Sequence, residues 1–138
     1  MDRLFIDANV LFSAAYRAGA GIARLWTLEE VELLSSDYAV EEARRNLSDS
    51  DRLARLEERI GSLELVAGVS VDEDFFKTLD VREKDWPILG GALAGRATHL
   101  ITGDHRDFGA LFGSDVRGVK IMPPADYFRK RDPESRAP

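Results

Sequence analysis

Asp7 follows the apolar run Leu4, Phe5 and Ile6, and Asp104 follows Leu100, Ile101, Thr102 and Gly103. Short apolar runs of this kind read as buried strands, and in open α/β sheets ligands bind beyond the carboxyl ends of the strands. Both carboxylates are therefore expected at the same rim of one sheet. Carboxylates a few ångströms apart repel, so one is protonated or a cation neutralises them. Oxygen ligands alone select a hard cation such as Mg²⁺ or Mn²⁺. Glu42, in a helix expected over residues 38–47, and Asp85, at the entrance of a helix expected over 86–97, can extend over that rim. The candidate ligands and catalytic groups are thus Asp7, Glu42, Asp85 and Asp104, with Asp107 as a fifth. Such a cluster can support metal-assisted hydrolysis.

Each acid also has an ordinary reading. Asp is favoured in turns, which covers Asp7. Most helical Glu residues are solvated, and Glu41 competes with Glu42 for the inward position. Asp85 suits a helix N-terminus through the macrodipole. Asp104 and Asp107 suit a turn and a cap around Gly103. The metal reading rests on all of them together.

The elements that must position these acids follow from local pattern. Strands are expected over residues 3–6, 31–34, 63–66, 99–102 and 119–122, the last before Pro123 and Pro124. A loop or helix is expected from Asn9 to Tyr16, broken by Gly19 and Gly21. Apolar residues at helical spacing predict a helix over residues 21–30. Ser35, Ser36 and Asp37 can cap the helix over 38–47, and the Ser-Asp-Ser-Asp run at 48–51 caps another reaching Ile60. Short helices are expected over 72–79 and 108–112. Pro87 suits the first turn of the helix after Asp85, and Gly90, Gly91, Ala92, Ala94 and Gly95 leave that helix able to approach a sheet closely. Strands alternating with helices imply βαβ units and a parallel sheet covered on both faces.

The 138 residues fit one domain, expected to end at residue 128, with residues 129–138 as a flexible tail. With no cysteine, thiol nucleophiles, disulfides and zinc–thiolate sites are excluded. No apolar run is long enough for a membrane span, and cytoplasmic residence is the simplest expectation. A net charge of −6 opposes non-specific binding of phosphates, unless clustered acids hold cations that reverse the local sign.

The opening Leu-Phe-Ile-Asp-Ala-Asn-Val-Leu-Phe-Ser-Ala at residues 4–14 is similar to the first-strand motif of the PIN-domain family, which includes VapC-like toxins and related ribonucleases. In that motif hydrophobic residues precede Asp-Thr-Asn-Val-Leu, and Ala8 stands here where Thr or Ser is common. Glu41-Glu42-Ala43-Arg44-Arg45-Asn46-Leu47 resembles the family's helix with an acid before a Leu, and register against Leu47 favours Glu42. The stretch from Asp85 through Thr102-Gly103-Asp104-His105-Arg106-Asp107-Phe108 resembles the family's acid, small-residue helix, strand and Thr-Gly-Asp-x-x-Asp-Phe ending.

The resemblance implies a three-layer α/β/α fold around a central parallel sheet, dependence on Mg²⁺ or Mn²⁺, and endonucleolytic cleavage of RNA that leaves a 5′-phosphate. It also implies a homodimer and, for toxin members, an antitoxin protein that blocks the site. Asn9, Thr102 and Asp107 are candidates for a supporting shell, and Arg44, Arg45 and Arg106 for contacts to the RNA backbone. His105 reads as a solvated loop residue. A haloacid-dehalogenase-type phosphatase is the competing enzyme class, but Asn9 stands where its second Asp is needed. A PIN-like module that binds RNA or protein without cutting is the other alternative.

Overall fold

The computed structural model describes residues 1–67 and 72–132. Strand β1 (Asp2–Ile6) leads into helix α1 (Ala8–Tyr16), and a 3-10 helix (Gly21–Thr27) leads to β2 (Val31–Ser36). Helices α2 (Asp37–Arg45) and α3 (Ser50–Ile60) precede β3 (Glu64–Val66) and the short α4 (Glu73–Phe76). A 3-10 turn (Glu83–Asp85) opens α5 (Trp86–Ala94), followed by β4 (His99–Ile101), α6 (His105–Phe108), a 3-10 turn (Gly109–Leu111), β5 (Asp115–Val116), β6 (Val119–Met122) and α7 (Pro124–Arg131).

The six strands form one sheet in the order β3-β2-β1-β4-β6-β5, parallel except for β5, which pairs antiparallel with β6. Alternation along the strands sends side chains to two cores. Phe5, Leu34, Leu100 and Ile121 face one side, packed with Ile88, Leu89 and Ala92 of α5 and with Phe76 and Phe108. Leu4, Ile6, Ile101 and Met122 face the other, against Val10 and Leu11 of α1, Val40 of α2, Leu56 of α3 and Tyr127 of α7. The result is a three-layer α/β/α architecture.

The chain runs from β1 outward through β2 to β3, then returns to place β4 on the other side of β1. The boundary between β1 and β4 is therefore the topological switch point, where open sheets leave a crevice beyond the strand ends. Asp7 and Asp104 lie just past those two strands.

The small residues of α5 do what the sequence suggests. A Cβ on Gly91 would meet the Phe5 ring at 3.0 Å, and one on Gly95 would meet Leu34 Cδ1 at 2.5 Å and Val66 Cγ2 at 2.8 Å. The helix rests directly on the sheet and stops earlier than the expected residue 97. Arg96 turns left-handed (φ 55°), and the Arg96 and Ala97 amides donate back to the Leu93 and Ala92 carbonyls, the double hydrogen bond of a Schellman cap.

Other elements depart from expectation. The helix expected over residues 21–30 is a 3-10 helix that ends at Thr27, where the Thr27 hydroxyl donates to the Arg24 carbonyl and Glu30 adopts a φ of 58°. The helix expected over 108–112 starts earlier, because Asp104 caps α6 by accepting from the Asp107 amide. Sequence pattern missed the β5–β6 hairpin, whose turn residues Arg117 (φ 50°) and Gly118 (φ 92°) are both left-handed, as a type I′ turn requires. It also missed α7. Arg129, expected to begin a frayed tail, lies in the last turn of that helix, while residues 133–138 of the expected tail fall outside the described residues.

Candidate metal centre

Asp7, Glu42, Asp85 and Asp104 line one cavity of about 380 Å³, together with Asn9, Phe12, Asn46 and Lys84. Asp7 is buried and caps α1: Oδ1 accepts from the Ala8 amide at 2.6 Å. Its Oδ2 accepts from the Thr102 hydroxyl at 2.8 Å and from Asn9 Nδ2 at 3.1 Å. Thr102 Oγ1 in turn accepts from Asn9 Nδ2 at 3.2 Å and from the Asp104 amide at 3.1 Å, and Asn9 Oδ1 accepts from the Gly103 amide at 2.8 Å. One donor and two lone pairs of Thr102 are thereby used. This closed network joins the end of β1 to the end of β4 through Asn9 and Thr102, both singled out in the sequence.

The other wall is differently made. One carboxylate oxygen each of Asp85, Asp104 and Asp107 lie within 4.8 Å of one another. Asp85 and Asp107 are buried, and Asp85 Oδ2 and Asp107 Oδ1 have no hydrogen-bond partner. Lys84 Nζ lies 3.1 Å from Asp107 Oδ2, and Arg82 Nε lies 3.2 Å from Oδ1 without the alignment of a hydrogen bond. A buried, unpartnered carboxylate oxygen costs about 1–3 kcal/mol or more. Two of them beside a third acid fit a site that binds a hard cation through oxygen.

Protonation follows the same geometry. Burial pushes Asp7 up to about 6, against the downward pull of the Thr102 and Ala8 hydrogen bonds, and the charges of Glu42 and Asp104 add to the rise. Burial, then the hydrogen bond and charge of Asp107, push Asp85 up to about 7. Burial acts upward on Asp107 too, but hydrogen bonds to Asp85, Lys84 and Asp104 outweigh it and hold that carboxyl below its ordinary value. Without a cation the two carboxyls titrate as a pair, Asp85 pushed up and Asp107 held down.

The remaining acids and bases sort by position. Glu42 faces the cavity, whereas Glu41 is exposed and pairs with Arg44 at 2.5 Å. Arg44, expected near RNA, forks onto Glu57 at 2.7 Å and 3.0 Å and does not line the cavity. Arg45, Arg106 and His105 are exposed outside the lining, and the His105 ring meets Phe112 edge-on. Asp107, expected as a fifth ligand or behind the ligands, forms the trio of carboxylates with Asp85 and Asp104 but does not line the cavity, while Asp7 already holds three donors.

Sequence reasoning missed Lys84, Asn46 and Phe12. Asn46 is one helical turn beyond Glu42, and Phe12 one turn beyond Ala8, so the 3.6-residue period was the available signal. Lys84 carries no pattern of its own. Its place is fixed by the 3-10 turn and by Tyr38, whose hydroxyl donates to the Lys84 carbonyl at 2.9 Å and ties α2 to the Asp85 segment.

The fold recurs in solved structures. A chain of VapBC2 from Rickettsia felis, bound to a DNA fragment from its promoter, superposes with a TM-score of 0.61 at 15% identity, over 88% of this chain and 98% of that one. VapBC-1 from nontypeable Haemophilus influenzae gives 0.60 at 14% identity, over 89% and 98%. VapC20 of Mycobacterium tuberculosis, a sarcin-ricin loop cleaving toxin, gives 0.50 at 17% identity, over 78% and 93%. No curated protein sequence matches. The family model described as PIN domain matches residues 3–106, a span that contains Asp7, Glu42, Asp85 and Asp104, and the chain belongs to the PIN-domain family.

Proposed function

We propose that this chain is an Mg²⁺- or Mn²⁺-dependent endoribonuclease. PIN domains are generally nucleases. The observation that carries the metal-dependent reading is the convergence of acids from separate elements on one cavity at the switch point, with two buried carboxylate oxygens left without a hydrogen bond.

Asp85, Asp104 and Asp107 would hold the cation, with Asp7 and Glu42 completing the acidic wall. When bound, a divalent cation supplies the Lewis acidity that activates water and offsets charge developing on the phosphodiester. Lys84, the basic side chain among the described lining residues, meets the phosphate. Asn9 and Thr102 hold Asp7 and Asp104 in register, and Asn46 offers an amide to substrate beside Glu42. The phosphatase alternative loses ground, because Asn9 spends its amide on Asp7 and Thr102 and supplies no acid.

The biological setting is part of the proposal. VapBC structures among the neighbours support a toxin blocked by an antitoxin protein, and the sarcin-ricin loop specificity of VapC20 supports structured RNA as substrate. A homodimer and a cytoplasmic location go with that reading. No helix among the described residues is long and apolar enough to cross a membrane.

The test is incubation of the purified chain with structured RNA and Mn²⁺, beside the same reaction in EDTA and with Asp7→Asn plus Asp104→Asn. Discrete fragments in the first reaction alone are expected. Identical RNA patterns in all three would leave the non-catalytic binding module as the reading.

A further inference from the structure

A second cavity of about 320 Å³ adjoins the metal centre, with Phe12 forming a wall of both. The rest of its lining comes from the last turn of α1, including Tyr16, from Arg17 just beyond it, and from the entrance of the Gly21–Thr27 3-10 helix, including Ile22. Phe12 and Tyr16 lie one helical turn apart on α1, their rings 5.3 Å between centroids. Tyr16 is 44% exposed, among the few large hydrophobic side chains left in solvent.

Guanidinium groups also lie around this cavity. The Arg52 guanidinium lies 3.7 Å from the Tyr16 ring centroid, and Arg52 and Arg55 donate to the Tyr16 and Ala15 carbonyls. Neither these two nor Arg17 forms an ion pair with a carboxylate among the described residues, a state they share with Arg45 and Arg106 and not with Arg3 or Arg44. In a chain of net charge −6, uncompensated guanidiniums therefore gather beside the acidic cavity. An acidic centre attracts a polyanion poorly by itself, so binding needs cations next to it. Aromatic rings interleaved with Arg are what single-stranded nucleic acid uses, the base on a ring and the phosphate on a guanidinium. A paired base has no free face to offer, so the occupant is unpaired.

We propose that this second cavity is a subsite for an unpaired nucleotide adjacent to the cut, its base against Phe12 and Tyr16 and its phosphate on Arg17. The proposal rests on the ribonuclease reading. It also limits the substrate: cleavage falls in a loop or single-stranded stretch, one nucleotide away from a base that must leave its stack.

The test uses the full chain and a short fluorescein-labelled single-stranded RNA, intact or with an abasic ribose at successive positions. Binding is read by anisotropy in Ca²⁺ and cleavage in Mn²⁺. One abasic position next to the cut is expected to weaken wild-type binding about tenfold. Tyr16→Ala is expected to weaken binding of the intact RNA by about the same factor, with no further loss on the abasic strand, and Tyr16→Phe, which keeps the ring, to recover the affinity. Arg17→Gln should weaken intact and abasic strands alike and flatten the salt dependence.

Losses that add between Tyr16→Ala and the abasic strand, or affinity indifferent to every abasic position, overturn the subsite. Cleavage without abasic sensitivity does so while sparing the ribonuclease reading. Abasic-sensitive binding without cleavage keeps the subsite and removes the ribonuclease. RNA neither bound nor cut defeats both, and leaves a peptide as the occupant to pursue.

Discussion

The two walls of the candidate metal centre are built from the same residue type and have opposite states. On the strand side, Asp7 has both oxygens occupied by Ala8, Asn9 and Thr102, and one Asp104 oxygen accepts from the Asp107 amide. On the helix-entry side, Asp85 and Asp107 are buried with one oxygen each lacking a hydrogen bond, and the exposed cations Lys84 and Arg82 pair with Asp107 alone. Satisfied carboxylates hold position without a ligand, which is preorganisation. Unsatisfied ones gain the most when a cation arrives. The contrast teaches that the site is a fixed frame facing a wall that is strained until it is filled.

The largest expected effect comes from breaking the frame's one open carboxylate. Asp104→Asn should lower kcat/KM for RNA in Mn²⁺ by more than about a hundredfold, since it weakens the trio of ligands and the frame at once. Fragment yields near wild type would remove Asp104 from the chemistry. Thr102→Val comes next: it keeps the shape but deprives Asp7 of an O–H and Asn9 and the Asp104 amide of an acceptor. Mn²⁺ affinity, measured by titration calorimetry, should fall by about 10- to 100-fold.

The strained wall predicts a pH response. Asp7 and Asp85 have folded values raised to about 6 and about 7. A carboxyl raised on folding stabilises the protein below its unfolded value near 4 and loses that contribution as pH rises through the folded value. The melting temperature of the metal-free protein should therefore fall as the pH rises from about 5 to about 7.5, and saturating Mg²⁺ should remove most of that slope. Asp85→Asn should raise the metal-free melting temperature at neutral pH by about 3 °C, corresponding to about 1 kcal/mol, because the amide donates to Asp107 without a charge. A variant less stable than wild type in EDTA would argue against a strained wall. The smallest effect is expected at Arg44→Ala, an exposed pair worth under about 1 kcal/mol, with RNA affinity unchanged.

The same contrast explains what was legible in the sequence. Asp7 and Asp104 end apolar runs, so strand period and position locate them, and the alternation of Leu4, Phe5 and Ile6 already assigns the two cores. Glu42 was separable from Glu41 only by register against Leu47, and the structure separates them through Arg44, a partner supplied by Glu57 on another helix. The helix-entry wall was the harder part. Asp107 joins Asp85 across 22 positions, and the exposed Lys84 reaches the cavity rim because of a 3-10 turn and a Tyr38 hydroxyl, neither of which leaves a periodic trace. The β5–β6 hairpin was hidden because its left-handed turn reads Arg-Gly instead of the usual Asn-Gly. Helix α7 was obscured by Pro124, which starts it, and by the basic residues that close it.

The Thr102–Asp7 hydrogen bond spans 95 residues of sequence, and β4 must align beside β1 for it to form. Contacts so distant in sequence close late in folding, after the shorter loops. A chain still emerging from the ribosome holds Asp7, Glu42 and Asp85 before the strand that completes the frame. On the ribonuclease reading proposed above, activity would then switch on as one of the last events of folding.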